Sequence, residues 1–255
     1  MRHQINERHA AHEHHLTVAR TARFYTIGEL GTGVHDVWLA CHGYGQLAGE
    51  FVERLGAAGG PSRLIVAPEG LSRFYLEHAR GGSHATSPVG ASWMTREDRS
   101  AEIADQVAYL DAIVDALKAR TSDALRLTAL GFSQGVATIC RWLTHTRTRA
   151  ERLVCWGGLV PDDVLTGDIR MFRGTHICLV AGTRDEFATP ERVTDAASAM
   201  RRLGLNVSQL GFEGGHRLDD ATLMRLANAS AEREQAGSGV RGTGAEAPEK
   251  VESRK

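Results

Sequence analysis

Cysteine is scarce in this chain, with four among 255 residues, Cys41, Cys140, Cys155 and Cys178. None forms a C-x-x-C pair. Three fall in apolar, strand-like runs and the fourth in a helical stretch, so neither a disulfide framework nor a thiolate metal site is expected. They read as small buried hydrophobes of a reducing compartment, and their apolar neighbours disfavour the thiolate that a catalytic cysteine needs. An excess of one charge is missing too: 30 Lys and Arg stand against 31 Asp and Glu, for a net charge of -1. That balance excludes a nucleic-acid binder whose affinity comes from a basic face. No run is long and apolar enough to span a bilayer, and residues 1–15 hold no apolar signal core. The cytoplasm is the expected location. There is no P-loop, no zinc-ligand spacing and no internal repeat, so no cofactor is expected.

What remains is enough for one large domain, since 42% of the residues are hydrophobic. Residues 1–15 are polar and carry His3, His9, His12, His14 and His15. They do not make an H-E-x-x-H metal pattern and read as a solvated segment. Residues 16–233 form the expected folded domain. The Gly-rich, charged tail 234–255 has almost nothing to bury, and disorder is expected there.

Inside the domain, residues 16–19 and 24–27 read as two short strands in an antiparallel hairpin. Runs at 36–41, 63–67, 125–130, 152–156 and 176–181 are apolar on both sides, as strands covered on both faces are. A more polar run at 206–211 suits an edge. Between them, apolar residues recur at three- and four-residue steps in 101–118, 134–144 and 191–203, which predicts helices. Strands alternating with helices predict an α/β fold with a mostly parallel central sheet and helices on both faces. Residues 71–93 match neither pattern and suit a cap over a pocket.

The most informative stretch is Gly131-Phe132-Ser133-Gln134-Gly135, a G-x-S-x-G pentapeptide after a strand and before a helix. A turn that sharp needs glycine on both sides of the serine, and it leaves the hydroxyl exposed above the sheet. A glycine- and serine-rich turn of no function is the plainer alternative, but the strand–turn–helix setting favours a nucleophile. Serine needs a base and an orienting acid, which this geometry supplies in the order Ser, Asp or Glu, His, each on a loop after a strand. Asp185 follows the 176–181 strand, with Glu186 beside it as the other candidate acid. His216 follows the last strand. The remaining downstream histidines fit less well, because His145 ends a helix and His176 begins a strand, at the far end of the sheet.

A tetrahedral oxyanion also needs backbone N–H donors. The loop His42-Gly43-Tyr44-Gly45-Gln46 follows the 36–41 strand, and the N–H groups of Tyr44 and Gln134 are the expected pair. The same loop also satisfies G-x-G-x-x-A, with Glu69 after the next strand, as in a nucleotide-cofactor-binding Rossmann-type oxidoreductase. That alternative leaves the ordered Ser133, Asp185 and His216 unexplained. A non-catalytic hydrolase-fold binding protein is the third reading.

On His42-Gly43-Tyr44-Gly45, Ala67-Pro68, Phe132-Ser133-Gln134-Gly135 and Gly214-Gly215-His216, the chain resembles the phospholipase/carboxylesterase family, acyl-protein thioesterases included. The resemblance covers about residues 35–225. It implies an α/β-hydrolase fold and a serine hydrolase that cleaves small-molecule carboxylic esters or thioesters through an acyl-enzyme. By the same resemblance Ser133, Asp185 and His216 match the triad, and Tyr44 and Gln134 the oxyanion donors. The acid loop lacks the family's His-Gly start, and Gln46 replaces a frequent aspartate. Phe74, Tyr75 and Trp93 are the residues expected to line an acyl site. Oligomeric state is not readable from the sequence.

Overall fold

The computed structural model describes residues 11–77, 85–121 and 125–239, with side chains up to residue 229. The remainder of the N-terminal segment and tail residues 240–255 lie outside them. Seven strands form the main sheet: β1 (Phe24–Ile27), β2 (Asp36–Cys41), β3 (Arg63–Pro68), β6 (Arg126–Phe132), β7 (Arg152–Trp156), β8 (His176–Gly182) and β9 (Asn206–Phe212). Their spatial order is β1-β3-β2-β6-β7-β8-β9. Every pair is parallel except β1 with β3. Two further strands, β4 (Ser72–Tyr75) and β5 (Val89–Ser92), pair with each other.

The helices are α1 (Ala48–Glu53), α2 (Arg99–Lys118), α3 (Gln134–His145), α4 (Asp162–Leu165), α5 (Pro190–Arg202) and α6 (Asp220–Gly239). All six residues of β2 are buried, because both faces of the sheet are covered. Alternation along β2 divides the core in two. Val37, Leu39 and Cys41 pack with Leu110 and Ile113 of α2, Ile139 of α3 and Val193 of α5. Trp38 and Ala40 point the other way, into a cluster with Phe51 of α1 and Leu223 and Leu226 of α6. All four cysteines are free and buried. Among the described residues no helix is long and apolar enough to cross a membrane.

Three expectations change. Residues 16–19 form no strand, and Leu16 and Val18 are exposed. β1 takes the edge of β3 instead, with Tyr25 opposite Ala67 and Ile27 opposite Ile65. The antiparallel hairpin of this fold is β4–β5, inside the stretch read as an irregular cap. Its residues 78–84 lie outside the described ones. The charged run Arg96-Glu97-Asp98-Arg99 leads into the long helix with Asp98 or Ser100 as the expected cap, but Asp98 precedes α2 at φ 44° with no side-chain cap hydrogen bond. It meets His15 at 3.0 Å instead. The edge position expected for the polar last strand is that of β9, with α6 continuing past residue 233 to Gly239.

Candidate active site

Chain reversal at the end of β6 puts Ser133 at φ 52° and ψ -116°, one of two non-glycine residues with positive φ among the described residues. Such a backbone costs roughly 1–3 kcal/mol and persists only where neighbours over-determine it. They do so here. The Ser133 N–H donates to the Trp156 carbonyl at 2.9 Å, and its own carbonyl accepts from Val136 N at 3.0 Å. A Cβ on Gly131 would lie 2.5 Å from the Gly135 backbone, and one on Gly135 would overlap the Cys41 carbonyl. Only the G-x-S-x-G spacing fits this turn.

Asp185 sits on the loop after β8 and is 3% exposed. Its Oδ1 accepts from the N–H groups of Phe187 and Ala188, both at 2.9 Å. Its Oδ2 lies 2.9 Å from Nδ1 of His216, on the loop after β9. A buried carboxylate with three such bonds repays its desolvation. Glu186 is exposed. Facing a carboxylate, Nδ1 carries the imidazole proton and Nε2 keeps the lone pair.

Two aromatic rings pack against the imidazole, Phe132 tilted by 32° at 4.9 Å between ring centroids and Phe187 tilted by 57° at 4.7 Å. Gly157, the residue after the Trp156 carbonyl that fixes Ser133, has φ +60°. A Cβ there would lie 2.9 Å from His216 Cε1 and 3.3 Å from Asp185 Oδ2. β6, β7, β8 and β9 thus deliver Ser133, Gly157, Asp185 and His216 to one spot beyond their carboxyl ends. Among the described residues the Ser133 hydroxyl carries no hydrogen bond, to Nε2 of His216 or to another group.

The loop after β2 lies against the serine, since a Cβ on Gly43 would be 3.2 Å from Ser133 Cβ. His42, fully buried, orients it. Gly70 N donates to Nε2 at 2.9 Å, so Nδ1 is the protonated nitrogen and donates to the Gly43 carbonyl at 2.7 Å. That carbonyl shares a trans peptide with the Tyr44 N–H, which therefore points the opposite way. Burial lowers the His42 pKa, against smaller upward effects of the Gly43 bond and Glu69, and keeps the ring neutral. Gln134 supplies the first N–H of α3, which no intrahelical carbonyl can accept. Its side chain is engaged elsewhere: Nε2 donates to the Met94 carbonyl at 2.8 Å, and Oε1 accepts from Trp93 N at 3.1 Å.

Of the three residues expected in an acyl site, Phe74 is half-buried and Tyr75 exposed. Phe74 stacks on Tyr44 at 5.0 Å between centroids, and Tyr75 is 49% exposed. Trp93 is 1% exposed, stacks on His42 at 5.0 Å and donates from Nε1 to the His42 carbonyl at 2.8 Å. It supports the loop from beneath and offers no surface to a ligand. A cavity of about 290 Å³ opens beside His216 and Phe132, lined also by Gln46, Glu50, Phe51, Arg54, Arg217 and Leu218.

Two further groups carry ligand-type atoms. Glu69, the acid of the dinucleotide alternative, is buried and bonded to Arg23 at 2.7 and 2.9 Å, to Arg73 at 2.7 Å and to Ala48 N at 3.3 Å. Burial alone would raise its carboxyl, but the arginine bonds outweigh it and hold the pKa below its ordinary value. No lone pair is kept for a ribose. Glu13, His15 and Asp98 bring ligand-type atoms within 4.8 Å of one another, all on exposed side chains.

Sequence reasoning missed Phe187, the clearance at Gly157 and the supporting part of His42. The pair Gly157-Gly158 after a buried strand was the one legible signal among them.

No family model and no curated protein sequence matches the chain. Solved structures do. An acyl-protein thioesterase 2 from Zea mays aligns at TM-score 0.63 and 14% identity, over 83% of this chain and 99% of that one. A carboxylesterase from Bacillus cereus aligns at 0.59 and 16%, over 83% and 94%. A phospholipase/carboxylesterase from Dyadobacter fermentans aligns at 0.58 and 17%, over 84% and 98%. Sheet order, helices on both faces and these neighbours agree: the chain has the α/β-hydrolase fold.

Proposed function

We propose that this protein is a cytoplasmic serine hydrolase of small-molecule carboxylic esters or thioesters. The observation that carries the reading is the Asp185–His216 bond of 2.9 Å beside a strained Ser133. Its neighbours in fold bear the names thioesterase and carboxylesterase. Four free, buried cysteines fit a reducing compartment.

In this reading Ser133 Oγ attacks the carbonyl carbon while His216 Nε2 takes its proton. The carbonyl oxygen gathers charge and is met by the N–H groups of Tyr44 and Gln134, the latter backed by the positive end of α3. Asp185 stabilises the imidazolium. When the carbon–oxygen or carbon–sulfur bond breaks, Nε2 returns the proton to the departing alkoxide or thiolate. Water then attacks the acyl-enzyme, losing its proton to Nε2, and the carboxylic acid leaves as Ser133 regains its hydrogen. No cofactor enters.

Hydrolysis of p-nitrophenyl acetate by the purified chain tests the reading. Wild type should turn over and Ser133→Ala should fall to the background rate. Equal rates in the two would remove Ser133 from the reaction.

A further inference from the structure

Phe187 is 62% exposed although its ring stacks on His216 at 4.7 Å and 57°. The other aromatic ring against the imidazole, Phe132 at 4.9 Å between centroids, is 6% exposed. Of the two rings against the imidazole, one therefore belongs to the core and the other presents an aromatic surface that water reaches. The arrangement is held by hydrogen bonds. Asp185 Oδ2 fixes the imidazole, Asp185 Oδ1 accepts from Phe187 N at 2.9 Å, and Arg192 Nη1 donates to the Phe187 carbonyl. A single carboxylate thus anchors both rings.

Proton return dictates what lies beside them. The departing oxygen or sulfur must come within about 3 Å of Nε2 to receive its proton. Atoms attached to that oxygen or sulfur must then leave beside the imidazole, either over the exposed Phe187 ring or through the cavity lined by Phe132 and His216. We propose that Phe187 forms the leaving-group subsite, and that the preferred substrates are esters or thioesters whose departing alcohol or thiol carries an aromatic group next to the reacting atom. This rests on the ester-hydrolase reading above. A flat ring stacked on Phe187 would cover apolar surface that the free protein leaves in water, with the offset geometry aromatic pairs prefer. The competing exit is the cavity shared by His216, Glu50, Arg54 and Arg217, whose charged rim suits an ionised leaving group.

Acetate esters of three primary alcohols separate these routes, because the acyl group is constant and the alcohols have comparable acidity. Purified wild-type protein and the variants Phe187→Ala and Phe187→Tyr would be assayed by pH-stat on ethyl, benzyl and 3-carboxypropyl acetate. For wild type, kcat/KM for benzyl acetate should exceed that for ethyl acetate by about tenfold or more. In Phe187→Ala this ratio should shrink by about three- to tenfold, while Phe187→Tyr keeps it. An unchanged ratio in Phe187→Ala overturns the proposal, as does a preference for the carboxypropyl ester. Absence of Ser133-dependent turnover on all three esters would instead overturn the hydrolase reading.

Discussion

Asp185 divides its carboxylate between two tasks, with Oδ2 on His216 Nδ1 and Oδ1 on the amides of Phe187 and Ala188, all at 2.9 Å. The division makes Asp185→Asn informative. The new carbonyl oxygen must stay on the two backbone N–H groups, so the amide NH₂ faces Nδ1. Histidine then places its proton on Nε2, where the serine needs a lone pair. We expect kcat on p-nitrophenyl acetate to fall by about 10⁴-fold with the thermal midpoint little changed. A loss under tenfold would mean that the carboxylate does not set the tautomer.

Gly157 clears the space in which His216 sits. Alanine there meets the imidazole at 2.9 Å and an unfavourable φ of +60°. Stability should drop by roughly 1–3 kcal/mol. Displacing the imidazole by roughly 1 Å should lower kcat about 100-fold. Measuring the thermal midpoint beside kcat separates the two effects, and a Gly157→Ala protein with wild-type kcat would contradict the packing described.

His42 carries a prediction in pH. Its folded pKa lies below the ordinary 6.5 because of burial. Between those two values the unfolded chain binds a proton that the native protein refuses, so stability rises with pH there. The His42 contribution is full above pH 6.5 and is lost as pH falls toward the folded value. Chemical denaturation at pH 7.5 and 5.5 should show a smaller difference for His42→Asn than for wild type. The variant also frees the Gly43–Tyr44 peptide and should lower kcat by about 10²-fold. A slope identical to wild type would mean that His42 is not held neutral.

The parts of this site that are local in sequence are the parts that could be read from it. Gly131, Ser133 and Gly135 encode one turn, and the covered strands announce themselves by unbroken apolar runs. His216 and Asp185 follow because the loops after successive parallel strands converge at one edge. Long-range contacts leave no such mark. Trp93 sits in a mixed stretch whose pattern carries no sign of burial, yet it packs in the core with residues of β2, α2 and α3 and against His42. Phe187 is a single aromatic in a polar loop, significant only because His216 arrives from 29 residues downstream. Residues 16–19 have strand-like composition but no partner, since β1 already occupies the edge of β3.

The central claim is that Ser133 is made nucleophilic by an imidazole brought to it from the last loop. Intact-mass and peptide mass spectrometry after treatment with a fluorophosphonate tests this most directly. One adduct on the peptide containing Ser133, strongly diminished in His216→Ala and absent in Ser133→Ala, is the predicted result. An unlabelled Ser133 in folded wild-type protein, or labelling that His216→Ala leaves at the same rate, would contradict it.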